Sequence, residues 1–466
     1  MIASGSTFAL AYLLAEWAVR LIMLVVIPLR RPPEAARSWL LLVLFLPLPA
    51  LVLYHLIGRA RFPAWRHRRF EETAAARQAV ADNLPAATVD DERLSRLAHL
   101  LGDFPDCGGN KVELLFDYDA AIDALVEAIS RARVSVHLLT YIFADDQTGR
   151  RVAEALARAR ARGVDVRLLV DALGTRPWLR RTRAMLERLD VPIRLALPVR
   201  FASLRRARTD LRNHRKICVI DGEIGFVGSQ NIVNRDFRPG IVNDELVAKV
   251  EGPVVAALAS VFATDWYLET SETLPAAAIP APVGDARLQL MPSGPDFGKP
   301  GYERLLVETV HRSEAEVVIV SPYLIPDEAL LIALENAVLR GVAVHLIVSH
   351  VVDQRLVAMA QQSYYDELLR SGVVIHRYRR RLLHAKHVSK DGCFGIVGSS
   401  NADVRSFMLN AEVSLLIHEP SVGAALRAVQ AGYIEASDML TLAEWRARPR
   451  AKRVLENIAR LVSPLL

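Results

Sequence analysis

Cysteine is nearly missing from this chain: Cys107, Cys218 and Cys393 are the only three in 466 residues. None belongs to a C-x-x-C pair or a mixed Cys/His spacing, which excludes a disulfide framework and a cysteine-based metal site. Cys218 and Cys393 read as small buried hydrophobes. The N-terminus, Met-Ile-Ala-Ser-Gly, has no basic run, which argues against a cleaved secretory signal. Neither sign of charge dominates: Lys and Arg exceed Asp and Glu by six, for a pI near 9.3. That balance suits anionic lipid and nucleic acid equally well and excludes neither. Apolar residues are what the chain has in excess. They make up 52% of it, with a mean hydropathy of +0.20, and they concentrate at the N-terminus.

Residues 8–29 and 39–57 each approach the ~20 apolar residues that a bilayer-spanning helix needs. Only a short stretch, 30–38, joins them, so residues 1–70 read as a two-helix transmembrane hairpin. Both ends of a hairpin lie on one side. Arg30, Arg31 and Arg37 sit in its turn, against Arg59, Arg61, Arg66, Arg68 and Arg69 after the second helix. The larger cluster assigns the main body to the cytoplasm. Glu16 and Arg20, four apart on one helical face, read as a mutually neutralising pair. Residues 71–110 are polar and mixed, amphipathic only at 94–101, and read as a connector.

Beyond the connector the pattern occurs twice. Helix, strand, helix and strand are predicted at 121–129, 134–143, 149–162 and 164–170, then again at 302–311, 316–323, 327–340 and 342–348. Both second helices end in Arg-Gly-Val, at Arg162 and at Arg340, where glycine stops a helix. Such alternation implies an α/β sandwich with helices over a largely parallel sheet. The Pro/Ala-rich residues 274–283 divide a first repeat, 111–273, from a second, 284–466.

Each repeat carries one copy of a longer motif. Residues 213–221 read Asn-His-Arg-Lys-Ile-Cys-Val-Ile-Asp, and 383–391 read Leu-His-Ala-Lys-His-Val-Ser-Lys-Asp. Both contain H-x-K-x4-D, and both continue into Gly-Ser-x-Asn: Gly228, Ser229 and Asn231, then Gly398, Ser399 and Asn401. In an extended strand, residues two apart share a face, so His214 projects with Lys216 and His384 with Lys386. Asp221-Gly222 and Asp391-Gly392 read as tight turns. Glycine before the serine lets the backbone approach a ligand; Ser and Asn supply neutral donors. A phosphate group suits two ammonium groups, two imidazoles and these donors. A lone histidine on a strand is commonly structural, but two copies with one tail, 170 positions apart, make catalysis the reading.

These paired motifs resemble those of the phospholipase D superfamily, and within it the bacterial cardiolipin synthases. Further segments carry the likeness: Tyr-Ile-Phe-Ala-Asp-Asp-Gln-Thr-Gly at 141–149, Val-Asp-Ala-Leu-Gly at 170–174, Pro-Ser-Gly-Pro-Asp at 292–296 and Pro-Tyr-Leu-Ile-Pro-Asp at 322–327. Ser-Tyr-Tyr-Asp-Glu-Leu-Leu at 363–369, Asp-Val-Arg-Ser-Phe at 403–407 and Ser-Pro-Leu-Leu at 463–466 complete it. The resemblance implies two phospholipase D-like α/β sandwich repeats forming a pseudo-dimer in a bacterial inner-membrane enzyme. It also implies a reaction: a phosphatidyl group leaves one phosphatidylglycerol, releasing glycerol, and passes to a second. Phosphatidylglycerol and membrane lipids are then the partners, and nucleic acid is not expected.

Catalysis at a phosphodiester needs charge neutralisation, a nucleophile and an acid for the leaving alkoxide. Lys216 and Lys386, with Ser229, Ser399, Asn231 and Asn401, meet the first need. One imidazole attacks phosphorus and the other moves the proton; by resemblance His214 attacks and His384 is the acid and base. No metal or nucleotide cofactor is required. Glu245 and Glu412 resemble the family's imidazole-orienting carboxylates, although Glu245 lies 14 positions after Asn231 and Glu412 only 11 after Asn401. Asp221 and Asp391 complete the catalytic motif, where their chief expected role is to brace its turns. Residues 232–240 lack the tryptophan-rich stretch associated with many members, which leaves the acceptor alcohol open. A membrane-bound phospholipase D or nuclease, resolving the same intermediate with water, is the alternative.

Overall fold

Apolar residues at the N-terminus form helices, but the second segment is broken. The computed structural model describes residues 2–31, 33–58, 62–87, 91–198 and 210–462; Arg59, Arg61 and the motif at 463–466 lie outside the described residues. The chain divides into two units, 1–64 with 199–211, and 65–198 with 212–466. In the first, helix α1 spans Ile2–Arg30, α2 Pro33–Phe45 and α3 Pro47–Ile57. The single helix expected at 39–57 is interrupted at Leu46 because Pro47 has no N–H to donate and its ring crowds the preceding turn. Met23, Ile27, Trp39, Val43 and Tyr54 pack together, Trp39 meeting the Tyr54 ring edge-on at 5.1 Å. Glu16 and Arg20 pair at 3.2 Å. Among the described residues one helical span, Ala9–Arg30, is long and apolar enough to cross a membrane.

The second unit is built on a mixed sheet of sixteen strands. From one edge the order is Ile193–Ala196, Asp165–Asp171, Ser135–Thr140, Ile217–Ile220, Ile224–Gly228, Val247–Glu251 and Cys107–Leu115. From the other edge, inside an extra strand at Ser437–Leu440, it is Val374–Tyr378, Ala343–Ser349, Glu316–Val320, His387–Lys390, Phe394–Gly398, Asn410–Ile417 and Ala286–Ser293. Each strand of one series has its counterpart in the other. The two series meet where Cys107–Leu115 pairs antiparallel with Ala286–Ser293. The expected largely parallel sheet is corrected to a mixed one: only the three outer strands of each series run parallel, since both motifs fold back as hairpins.

The supposed connector also belongs to this unit. Helix Glu92–Gly102 buries Leu94, Ala98 and Leu101 among the side chains of the second repeat, and Asp91 at its start binds Arg312 and Lys390. Its amphipathic period was in the sequence; its partner was not. Residues 274–283 form neither helix nor strand. A central core of Leu246, Val250, Leu258, Leu288, Val397, Leu415 and Leu426 draws on both repeats. At roughly 1.5–3 kcal/mol per fully buried aliphatic side chain, this seam holds the repeats in one body.

Candidate active site

Each motif histidine sits where its segment changes partner. Arg212–Asn213 pairs in parallel with Asn410–Ala411 of the second repeat, and Leu382–Leu383 with Asn243–Asp244 of the first. The chain then enters its own hairpin at Ile217 and at His387. His214 and Lys216, like His384 and Lys386, therefore lie just before the regular strand and not within it. The His214 N–H donates to the Ala411 carbonyl and the His384 N–H to the Asp244 carbonyl, both at 2.8 Å.

This exchange crosses the pairs. His214 Nδ1 lies 3.0 Å from Glu412, and His384 Nδ1 lies 2.7 Å from Glu245, so each imidazole is oriented by the other repeat's carboxylate. The unequal spacing is loop length alone. Ser229 N–H donates to Leu246 O and Ser399 N–H to Val413 O, each 3.0 Å, which puts Glu245 and Glu412 at one structural position. An ionised carboxylate only accepts, so each Nδ1 carries the proton and each Nε2 is left for substrate. Both imidazoles line one cavity of about 330 Å3, with Tyr141, Asn231, Tyr323 and Asn401.

The lysines are buried behind their histidines. Lys216 Nζ donates to the His214 carbonyl at 2.6 Å, and Lys386 Nζ to that of His384. Burial pushes Lys216 down to about 7 and Lys386 to about 8, because the lost hydration of the ammonium groups is only partly offset by Glu412 and Glu245. His214 is lowered by the same burial and His384 is lowered to about 4. Burial works to raise Glu245 and Glu412, but the histidine and lysine beside each more than offset it and keep both carboxyls ionised. With neutral imidazoles the two lysines and two glutamates balance. An arriving phosphodiester tips that balance negative and draws protons onto Lys and His.

Four expectations are corrected. Asp221 and Asp391 lie beyond the far ends of their strands: Asp221 accepts the N–H groups of Arg133, Val134 and Ser135, and Asp391 those of Glu314, Ala315 and Glu316. Left-handed at φ 56° and 52°, they brace turns and touch neither imidazole. Gly228 and Gly398 admit a neighbouring strand in place of a ligand, since a Cβ would come within 2.4 Å of Leu246 O and 2.3 Å of Val413 O. The serines face away from substrate too. Ser399 Oγ donates to Glu412 and Ser229 Oγ to Leu246 O. Asn231 accepts from the Ile142 N–H through Oδ1, so its NH2 is the group it can offer the cavity. Finally, Cys393 is exposed, while Cys218 is buried as expected.

Several contributors escaped the sequence reading. Ser406 and Asn410 add hydrogen bonds to Glu412 at 3.0 and 3.4 Å, and Tyr141 meets the His214 ring edge-on at 4.8 Å. A signal existed for one of these: Asn-x-Glu recurs at Asn243 and Glu245 and at Asn410 and Glu412, and both asparagines line the cavity.

A family described as "Cardiolipin synthase, PLD-like domain" matches residues 125–266 and 306–430. Cardiolipin synthase A of Serratia proteamaculans (strain 568) is 32% identical over 94% of both chains. That of Wigglesworthia glossinidia brevipalpis is 28% identical over 97% of this chain and 95% of its own. Among solved structures, a phosphatidylserine synthase from Haemophilus influenzae superposes with a TM-score of 0.58 at 16% identity, over 86% of this chain and 100% of that one. A polyphosphate kinase from Porphyromonas gingivalis gives 0.50 at 15%, over 77% and 53%. At such identities the two structures speak for the fold.

Proposed function

We propose, from the premise that this chain belongs to the phospholipase D-like cardiolipin synthase family, that it is a phosphatidyltransferase making cardiolipin from two phosphatidylglycerols. The repeats at 111–273 and 284–466 act as the two lobes of a pseudo-dimer. The observation that carries the reading is the crossed arrangement, His214 on Glu412 and His384 on Glu245, around one cavity.

His214 Nε2 attacks phosphorus of the first phosphatidylglycerol. The bond from phosphorus to the glycerol oxygen breaks, and His384 Nε2–H, protonated once the anionic substrate is bound, gives its proton to that oxygen. Free glycerol departs. His384 then removes the proton from a hydroxyl of the second phosphatidylglycerol, whose oxygen attacks phosphorus and breaks the bond to His214. Lys216, Lys386 and the Asn231 amide hold the non-bridging oxygens throughout. One phosphodiester replaces another, so no nucleotide supplies energy. Support for His214 as nucleophile comes from Glu412: three side chains besides His214 hold that carboxylate, as suits a ring that must hold a covalent phosphorus at one angle. Glu245 has fewer side chains around it, His384 at 2.7 Å and the Ser229 hydroxyl, as suits a ring that serves two oxygens in turn.

Helices α1 to α3 are the membrane element of a multi-pass bacterial inner-membrane protein, with the second unit cytoplasmic. Arg66 adds nothing to that orientation, being buried against Glu269 and Asp296; Arg68 beside it is exposed. Purified protein given phosphatidylglycerol vesicles is expected to release cardiolipin and glycerol in equal amounts. Phosphatidic acid without cardiolipin would make it a hydrolase, and cleavage of an oligonucleotide a nuclease. With lipid labelled in the phosphatidyl group, the wild-type chain is expected to carry an acid-labile adduct during turnover and His214→Asn none, while His384→Asn slows both its formation and its breakdown.

A further inference from the structure

Helix Arg450–Val462 is amphipathic, yet it is turned the wrong way for a helix on a globular body. Its buried residues are Glu456 and Ala459. Arg448 clasps the Glu456 carboxylate at 2.6 and 3.0 Å, and Arg460 lies over the Tyr364 ring at 4.0 Å while reaching Glu367. The inward arc is thus mainly polar. Val454, Leu455, Ile458 and Leu461 share the outward arc and are 57, 53, 53 and 75% exposed. A surface helix ordinarily turns such a stripe toward the core. Exposed Arg450, Lys452 and Arg453 flank it, and the helix's one acid, Glu456, is already neutralised by Arg448.

The stripe is also close to the chemistry. Arg450–Val462 packs on helix Arg355–Gln362, and Gln354 and Val357 at the start of that helix line the catalytic cavity. Leu356 and Val352 beside them are 44 and 39% exposed.

We infer that Arg450–Val462 is an interfacial helix, laying its apolar arc into the surface of a bilayer rich in anionic headgroups and holding the cavity's second-repeat wall near the lipid. Apolar side chains rimmed by cations are the chemistry of such a surface. A second copy on the same face would set its own basic flank against this one. The inference rests on the reading that the substrates are bilayer lipids.

The test uses the full chain carrying Cys393→Ser and Ile458→Cys. A fluorophore at 458 is read in vesicles of brominated phosphatidylcholine, alone or in equal parts with brominated phosphatidylglycerol; Cys107 and Cys218 are buried. Quenching is expected to be at least about threefold stronger in the mixed vesicles. Each basic side chain at an anionic surface adds about a fivefold factor in partitioning, so Arg450→Gln, Lys452→Gln and Arg453→Gln together should abolish the difference. Equal quenching in both vesicles, no quenching in either, or lipid-independent energy transfer between labelled copies would each overturn the proposal. The readout needs no turnover. A quenched label on a chain that makes no cardiolipin sinks the functional reading alone, and an active chain with an unquenched label sinks this one alone.

Discussion

The two halves of the sheet share a strand order and a hairpin preceded by His-x-Lys but are held in place by different means. In the first, Arg215 follows the histidine and is buried, gripping Asp265 at 2.6 and 2.7 Å and reaching across to the carbonyls of Glu412 and Ser293. The second has Ala385 at that position. The helix behind the first hairpin, Val254–Thr270, is buried on nearly every face, whereas its counterpart Pro420–Glu435 buries only Gly423, Leu426 and Gln430. Glu412, beside the first histidine, takes hydrogen bonds from Ser399, Ser406 and Asn410, whereas Glu245 has Ser229 alone besides its histidine. The two carboxylates thus differ in how many side chains surround them, although the motifs read alike.

The largest expected effect lies in the crossed carboxylates. Glu412→Gln should lower kcat by about 10^3-fold, within the range that a positioned acid–base group contributes, and Glu245→Gln by about tenfold, below it. Equal losses would erase the proposed asymmetry. Next comes Arg215: Arg215→Met strands the buried Asp265 and should cost about 3–5 kcal/mol in denaturant unfolding. Ala385→Ser should cost less than about 1 kcal/mol, and adding Asp265→Leu to Arg215→Met should recover most of the loss. A smaller effect separates the lysines. Lys216, lowered to about 7, loses its proton before Lys386, lowered to about 8, and only the protonated form holds an anion. As pH rises through 7, kcat/KM should fall first, while kcat holds to higher pH because bound phosphodiester raises both groups. The imidazoles stay neutral across that window in the free protein, so Lys216→Arg should move the limb upward. The smallest effect is also the control: Asp221→Asn and Asp391→Asn should each cost about 1 kcal/mol of stability, as at a lost helix cap, and change turnover less than about threefold, equally in the two repeats.

Much of the site was legible because the duplicated motif fixes residue types at one spacing, and alternation predicts which of them project together. His214, Lys216, His384 and Lys386 could be read that way. The two aspartates were misplaced among catalytic groups for the same reason: a motif records residues that occur together without separating those that touch substrate from those that brace a turn. Ser229, Ser399, Gly228 and Gly398 show this too, since their partners are the carboxylate and strand lying opposite, which are distant in sequence. The break at Leu46 is marked in the sequence by Pro47 and Pro49, which lie within an otherwise continuous apolar run.

Sequence alone determined that there are two histidine–lysine hairpins, an apolar N-terminus and an amphipathic segment before the first repeat, because each is a local matter of side-chain period and turn chemistry. Only the tertiary structure decided that Glu412 serves His214 and Glu245 serves His384, that Arg215 spans the seam, and that Arg450–Val462 turns its apolar arc outward. Those outcomes depend on which strand lies beside which and on what fills the space behind a helix. Both are set by packing between segments 93 to 198 residues apart, and a linear pattern does not record them.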